Sequence, residues 1–235
     1  MKVLARDDCF TFYLVSAFQR FGTPFTLLCY DEKIPSPIFM DALQGIHSDP
    51  AVVLPALSEP YFYKTQRELK SLSVKDANLI IIGSFSDLAI RLYRHRTQGW
   101  KFAERWNFVS DPQYLETRFE RLDPTPIRDV VENNKILFDV FGKNNPQAKK
   151  LWINYPYVDG APTGWNGVET ENRIMKDRWK GITEATSAEY PSEGVFVLNI
   201  PDELAEGRGD GQLWHYPDRT YDWAAKAIFD WFNSK

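Results

Sequence analysis

The sequence predicts a doubly wound α/β sandwich, with helices on both faces of a mainly parallel five-stranded sheet. Two observations predict it. Short apolar runs alternate along the 235 residues with segments whose apolar positions recur at helical spacing, and strand, helix, strand order implies parallel pairing with a right-handed crossover. The run ANLIII at 77–82 is continuously apolar between turn formers, the character of a strand buried on both faces by flanking helices.

The elements follow in order. Residues 1–5 form a first strand. Over 10–21, Phe10, Tyr13, Leu14, Ala17, Phe18 and Phe21 share one helical face, closed by Gly22 and Pro24. Residues 25–30 form the second strand. Five prolines (Pro35, Pro37, Pro50, Pro55, Pro60) punctuate 31–60, so this stretch is expected to be irregular apart from a short helix at 37–46 and an extended piece at 51–54. A helix fits 61–72, and the strand at 77–82 stops at Gly83. Residues 86–96, with Leu88, Ile90, Leu92 and Tyr93, read as a helix, followed by a polar, Trp-bearing excursion over 99–123. A long helix at 124–141, a strand at 150–154, a Gly/Pro/Trp loop at 155–168, a helix at 169–189, a fifth strand at 195–200 and a closing helix at 221–232 complete one domain, residues 1–235.

A formal net charge of −4 gives no general attraction for nucleic acid or anionic lipid. No apolar run nears the roughly 20 residues of a bilayer span, and MKVLARDDCF reaches charge too early for a signal peptide. The expectation is a soluble, cytosolic protein without nucleic-acid or membrane partners. No nucleotide-binding loop is recognisable and no cofactor is expected. Cys9 and Cys29 have no metal-site spacing and read as free thiols. With 8 Trp and 11 Tyr, there are more large rings than one core of this size requires, so some are expected to line a cleft.

Ligands of such sheets bind outside the carboxyl ends of the strands. That rule gathers four segments on one rim: Arg6, Asp7, Asp8 and Cys9; 83–87 with Ser84 and Asp87; 154–165 with Asn154 and Trp165; and 202–215 with Asp210, Trp214 and His215. Of the three histidines, His47 lies in a polar turn and His95 on a helix surface, which leaves His215 as a base held at a helix entrance. A second reading stands beside it, in which His215, between Trp214 and Tyr216, belongs to a partly buried aromatic cluster. Cys9 also has two readings, a thiolate activated at a helix N-terminus or an inert small residue at a buried junction. Asp8 fits an N-cap better than a metal ligand, because adjacent carboxylates point apart. The basic run RLYRHR at 91–96, laid along the solvated side of a helix, suits a sugar phosphate or the phosphates of a CoA-type donor better than a polyanion. The loop holding Trp165 and Asn166 reads as a carbohydrate-stacking lid or as a plain connection.

The turn RDDC at 6–9, the block GSFSD at 83–87 and the segment from Asp210 to His215 together resemble the SGNH (GDSL-like) hydrolase superfamily. Its pattern places a nucleophile after strand one in Gly-Asp-Ser, an oxyanion donor in Gly-x-Asn after strand three, and Asp-x-x-His before the last helix. The resemblance implies a flavodoxin-like three-layer αβα sandwich and a divergent esterase, deacetylase or acyltransferase acting on a carbohydrate. In that reading Cys9 is the nucleophile, His215 the base and Asp210 its orienting acid, with Ser84 and the first-turn backbone holding the oxyanion. Arg6, Asp8, Asp87, Asn154, Trp165 and Trp214 face a small-molecule or carbohydrate substrate, joined by an acyl donor where the reaction is a transfer. This chain departs from the pattern at three points. Cys9 replaces the serine, no Asn stands in GSFSD so that Ser84, Ser86 or backbone amides take its place, and Gln212 stands three before His215. HYPDRTY also resembles an uncharacterised SGNH-like family associated with bacterial surface-polysaccharide biosynthesis, which carries a cysteine in its first turn. The departures fit a second function, a catalytically lapsed scaffold that binds a glycan or a protein partner.

Overall fold

The computed structural model describes residues 1–7, 9–32, 34–58, 61–89, 91–104, 109–156, 169–205 and 216–234. The chain runs β1 (Lys2–Asp7), α1 (Cys9–Arg20), β2 (Thr26–Glu32), α2 (Ser36–Leu43), α3 (Pro50–Val53), α4 (Tyr61–Arg67), β3 (Leu79–Gly83), α5 (Phe85–Ala89), β4 (Arg91–His95) and β5 (Lys101–Glu104). It continues through α6 (Pro112–Arg118), β6 (Phe119–Arg121), α7 (Ile127–Asn144), β7 (Lys149–Asn154), α8 (Glu169–Glu189), β8 (Val195–Asn199), α9 (Asp202–Ala205) and α10 (Asp218–Asn233).

Five strands form one sheet in the order β2-β1-β3-β7-β8, and every pairing in it is parallel. Counted among themselves the strands stand two-one-three-four-five, the flavodoxin-like order, whose direction of winding reverses between β1 and β3. All five residues of β3 are buried, which is why its sequence carries no polar alternation. Helices cover both faces. On β1, Arg6 reaches Asn134 of α7 while its neighbour Asp7 reaches Thr11 of α1, as alternation along a strand requires. The facing stripes are ordinary amphipathic ones: Val130, Val131, Leu137, Phe138 and Phe141 from α7, and Tyr221, Ala224, Ala225 and Ile228 from α10.

The helix expected at 86–96 is instead the short α5 followed by strand β4, which pairs antiparallel with β5 and β6 in a separate three-stranded sheet. The reason is two-sided burial. Leu92 is buried against the main core and Tyr93 against a second apolar cluster with Val53, Tyr63, Trp100, Phe102, Leu115 and Phe119. Adjacent apolar residues therefore serve opposite faces of a strand. RLYRHR accordingly lies on a strand, where Arg94 pairs with Glu120 at 2.6 Å. The excursion at 99–123 supplies β5, α6, β6 and much of that second cluster.

The piece expected to be extended at 51–54 falls in α3 and the 3-10 turn after it. Asp49 caps α3 by accepting the Ala51 N–H at 2.9 Å, and Pro50 supplies the preset first helical position. The helix read over 61–72 stops at Arg67, and a 3-10 turn follows at Lys70–Ser73. Asp31 holds that turn by accepting from Ser71 N–H at 3.1 Å and from its hydroxyl. Other boundaries agree within a few residues, and the helix read at 169–189 is α8. No helix among the described residues is long and apolar enough to cross a membrane.

Candidate functional site

The last two residues of β1 are both completely buried, one on each face of the sheet. Arg6 donates through Nε and Nη2 to Ile34 O at 2.9 and 2.6 Å, through Nη1 to Asn134 Oδ1 at 2.8 Å, and through Nη2 to Asp87 Oδ2 at 3.0 Å. Asp87 is answered from three more directions. Its Oδ1 accepts Ser36 N–H at 2.7 Å, its Oδ2 accepts Asn134 Nδ2 at 3.1 Å, and its backbone carbonyl accepts Arg178 Nη2 at 3.1 Å. Of the sequence candidates, Arg6 and Asp87 are thus brought together as an ion pair with both side chains fully enclosed. They tie β1, α2, α5 and α7 at the rim and meet each other in preference to solvent. Burial pushes Arg178 below the ordinary guanidinium value, and the charge of Asp87 opposes it.

On the other face Asp7 accepts from Thr11 Oγ1 at 2.6 Å, Thr11 N–H at 3.2 Å and Tyr155 OH at 2.6 Å. A Cβ on Gly83 would stand 1.7 Å from Asp7 Oδ1 and 3.1 Å from the Tyr155 ring. Gly83 is required here because the neighbouring carboxylate fills the space a side chain would take. Beyond Gly83, the Ser84 N–H is committed to Ile153 O at 3.1 Å, so that amide continues the sheet and leaves the set of oxyanion donors. Ser84 Oγ accepts Tyr155 N–H at 3.5 Å, and its own O–H has no acceptor among the described residues. Ser86 is completely buried and its Oγ has no hydrogen-bond partner among the described residues, an arrangement that costs on the order of 1–3 kcal/mol.

Cys9 opens α1 directly beyond β1 as a half-buried thiol that forms no disulfide among the described residues. The next residue, Phe10, packs edge-on against Tyr155 at 5.4 Å and Tyr216 at 5.9 Å, and lies 5.0 Å from Tyr221. Tyr216 is fixed in turn by Tyr221, whose hydroxyl accepts its N–H at 3.0 Å. These four rings pack together behind the entrance to α1. Asn154, another sequence candidate, faces inward: its Oδ1 accepts Trp152 Nε1 at 2.7 Å, and its Nδ2 donates to Thr186 Oγ1 at 3.0 Å and Asn199 Oδ1 at 2.8 Å. Asp8, Trp165, Asp210, Trp214 and His215 lie outside the described residues.

Thr11, Asn134, Tyr155 and Arg178 were not singled out by the sequence reading, and each acts through a contact between distant segments. Only the Gly83 position hinted at one of them. Cys29, the second free thiol, is buried on β2 beside Asp31. Burial first, then the Asp31 charge, pushes it up to about 12, so little of it is thiolate near neutrality. Among the described residues no group of three or more His, Cys, Asp or Glu is arranged to hold a metal ion.

The strand order and the groups flanking its reversal define a flavodoxin-like α/β protein with its candidate site at the β1/β3 switch point. Similar folds occur among solved structures. A Bacteroides fragilis protein provisionally named an acylhydrolase is 11% identical, with 99% of this chain and 86% of that one covered at a TM-score of 0.51. A GDSL-like lipase from Bacteroides thetaiotaomicron is 10% identical over 98% of this chain and 87% of that one, TM-score 0.46. A family two carbohydrate esterase from Clostridium thermocellum, solved as an active-site mutant with a bound cello-oligosaccharide, is 10% identical over 97% of this chain and 63% of that one, TM-score 0.46. No protein-family model and no curated protein matches the chain.

Proposed function

We propose that the protein is an SGNH-like esterase or deacetylase, or the corresponding acyltransferase, acting on a carbohydrate. The observation that carries the reading is the contact of Phe10 with Tyr216 at 5.9 Å. Phe10 follows Cys9 in sequence and Tyr216 follows His215, so the entrances to α1 and α10 converge at the switch point. The same fold in a protein named an acylhydrolase supports the class, and the resemblance of HYPDRTY supports a surface-polysaccharide substrate.

In the proposed reaction Cys9 Sγ attacks the acyl carbonyl as His215, oriented by Asp210, takes the thiol proton. The oxyanion is held by the hydroxyl of Ser84, whose proton has no acceptor among the described residues, and by the first-turn backbone. Collapse breaks the ester bond, and His215 returns its proton to the leaving sugar oxygen. Water, or an acceptor hydroxyl in a transferase, then attacks the thioester and restores the thiol. Asp8, Trp165 and Trp214 are assigned to the substrate side.

Hydrolysis of an aryl acetate and of a peracetylated sugar tests the reading. Cys9→Ala and His215→Ala are each expected to lower kcat/KM by about 100-fold or more, and full turnover in both variants would remove it. A second reading, a glycan- or protein-binding scaffold without turnover, is favoured by the internal commitment of Arg6, Asp87 and Asn154. It predicts saturable glycan binding with no hydrolysis, lost in Trp165→Ala and kept in Cys9→Ala.

A further inference from the structure

Tyr155, the residue after β7, is buried and touches three separate rim segments. Its hydroxyl donates to Asp7 Oδ1 at 2.6 Å, at the end of β1. Its N–H donates to Ser84 Oγ at 3.5 Å, just beyond β3. Its ring lies 5.4 Å from Phe10, which follows Cys9, and 6.1 Å from Tyr216, which follows His215. One side chain thus meets the neighbours of the proposed nucleophile and of the proposed base, and its backbone meets the proposed oxyanion donor.

The residue is itself firmly held. Trp179 Nε1 of α8 donates to its carbonyl, and the preceding Asn154 is fixed by Trp152, Thr186 and Asn199. Phe85 packs on its ring at 5.6 Å, and the absent side chain of Gly83 leaves room for that ring and for Asp7 together. Asp7 also accepts from Thr11, through its N–H at 3.2 Å and its hydroxyl at 2.6 Å. The first turn of α1 is therefore bonded to the carboxylate that Tyr155 holds, and Cys9 lies in that turn. The contacts run from the end of β7 through the Tyr155 hydroxyl to Asp7, from Asp7 to Thr11, and so to the backbone that carries the thiol.

We propose that Tyr155 is a positioning residue of the site, its hydroxyl acting through Asp7 to set the thiol-bearing turn of α1 relative to Ser84. The inference rests on the acyl-transfer reading and deepens it by naming what fixes the distance from nucleophile to oxyanion donor. A misplacement of about 1 Å between reacting groups costs about 100-fold in rate. Asp7, by contrast, keeps both Thr11 donors when the Tyr155 hydroxyl is removed. Loss of that one oxygen is therefore expected to show in turnover far more than in folding.

Steady-state hydrolysis of an aryl acetate by the full chain tests it, with Tyr63→Phe as the control. Tyr63 is also buried and shares a hydrogen bond with Ser48 at 2.9 Å, but it packs in the second apolar cluster. Tyr155→Phe is expected to lower kcat by about tenfold or more with KM held within about twofold, and to unfold within about 5 °C of the wild type. Tyr63→Phe is expected to leave kcat within about twofold. In an Asp7→Asn background, Tyr155→Phe is expected to cost less than about twofold further, because the hydroxyl acts through that carboxylate. Cys9-dependent turnover that is undiminished in Tyr155→Phe would overturn this inference alone and leave the acyl-transfer reading standing. Equal losses in Tyr155→Phe and Tyr63→Phe, or the full tenfold loss again in the Asp7→Asn background, would overturn it in the same way. Turnover that survives Cys9→Ala, or none by the wild type, removes the acyl-transfer reading and this inference with it.

Discussion

The two sheets are held together by different means. The parallel sheet is pinned at its rim by a directional polar network in which Arg6 alone makes four hydrogen bonds, two of them to Ile34 O. The three-stranded sheet is packed on rings: Tyr93 and Phe102 stack at 5.1 Å, Phe102 meets Phe119 edge-on at 5.0 Å, and Trp100 meets Phe119 at 5.6 Å. Rings supply area and tolerate adjustment, whereas a network with every bond aimed fixes position. The directional network is found where Cys9 and the serines after β3 must be held in register. The ring-packed sheet stands beside α2 and α4, where its Lys101 pairs with Asp41 at 2.6 Å and the Gln66 side chain bonds the Ala103 backbone.

Replacing Arg6 tests that contrast most severely. Arg6→Met strands Asp87 without its cation in a fully buried site and is expected to cost about 3–5 kcal/mol in urea unfolding; a cost below about 1 kcal/mol would deny the network its role. Phe102→Ala, at the centre of the second cluster, is expected to cost about 3 kcal/mol. Hydrogen exchange should then rise in β4, β5 and β6 before it rises in β1, β3 and β7, and equal loss of protection throughout would make the two sheets one unit. Gly83→Ala pushes a methyl into Asp7 Oδ1 and is expected to cost about 2 kcal/mol. It should depress activity more than Gly45→Ala, whose Cβ meets nothing within 4 Å but is strained by a φ of +73°.

The smallest effect concerns Asp31, whose carboxyl burial raises above its ordinary 3.8 against the hydrogen bonds of Ser71. Because the folded value exceeds the unfolded one, the neutral form favours the folded state. The stability it brings is whole below about pH 4 and is lost as pH climbs through the raised value. Asp31→Asn is neutral throughout, so its unfolding free energy should fall less between pH 4 and pH 7 than that of the wild type. Parallel curves would contradict this.

The parallel sheet was legible because its strands are short apolar runs set between helical periods, and the all-apolar 79–82 can be nothing but interior. The ring-packed sheet was not. RLYRH mixes basic and apolar residues so that Leu92 and Tyr93, which serve different clusters, imitate neighbours on one helical face. At the rim, topology alone put Cys9 after β1 and Ser84 after β3. It could not reveal that Arg6 faces Asp87, or that Asp7 is held by Thr11 and Tyr155, because those pairings depend on which face each residue takes and on segments up to 148 residues apart.

The central claim is that Cys9 is an acyl acceptor served by His215. Peptide mass mapping after brief exposure to an aryl acetate measures this directly. The account predicts one acetyl group on the peptide holding Cys9, none on Cys29, whose buried thiol is pushed up to about 12, and far slower labelling of Cys9 in His215→Ala. Turnover with no adduct on Cys9, persisting in Cys9→Ala, would contradict it.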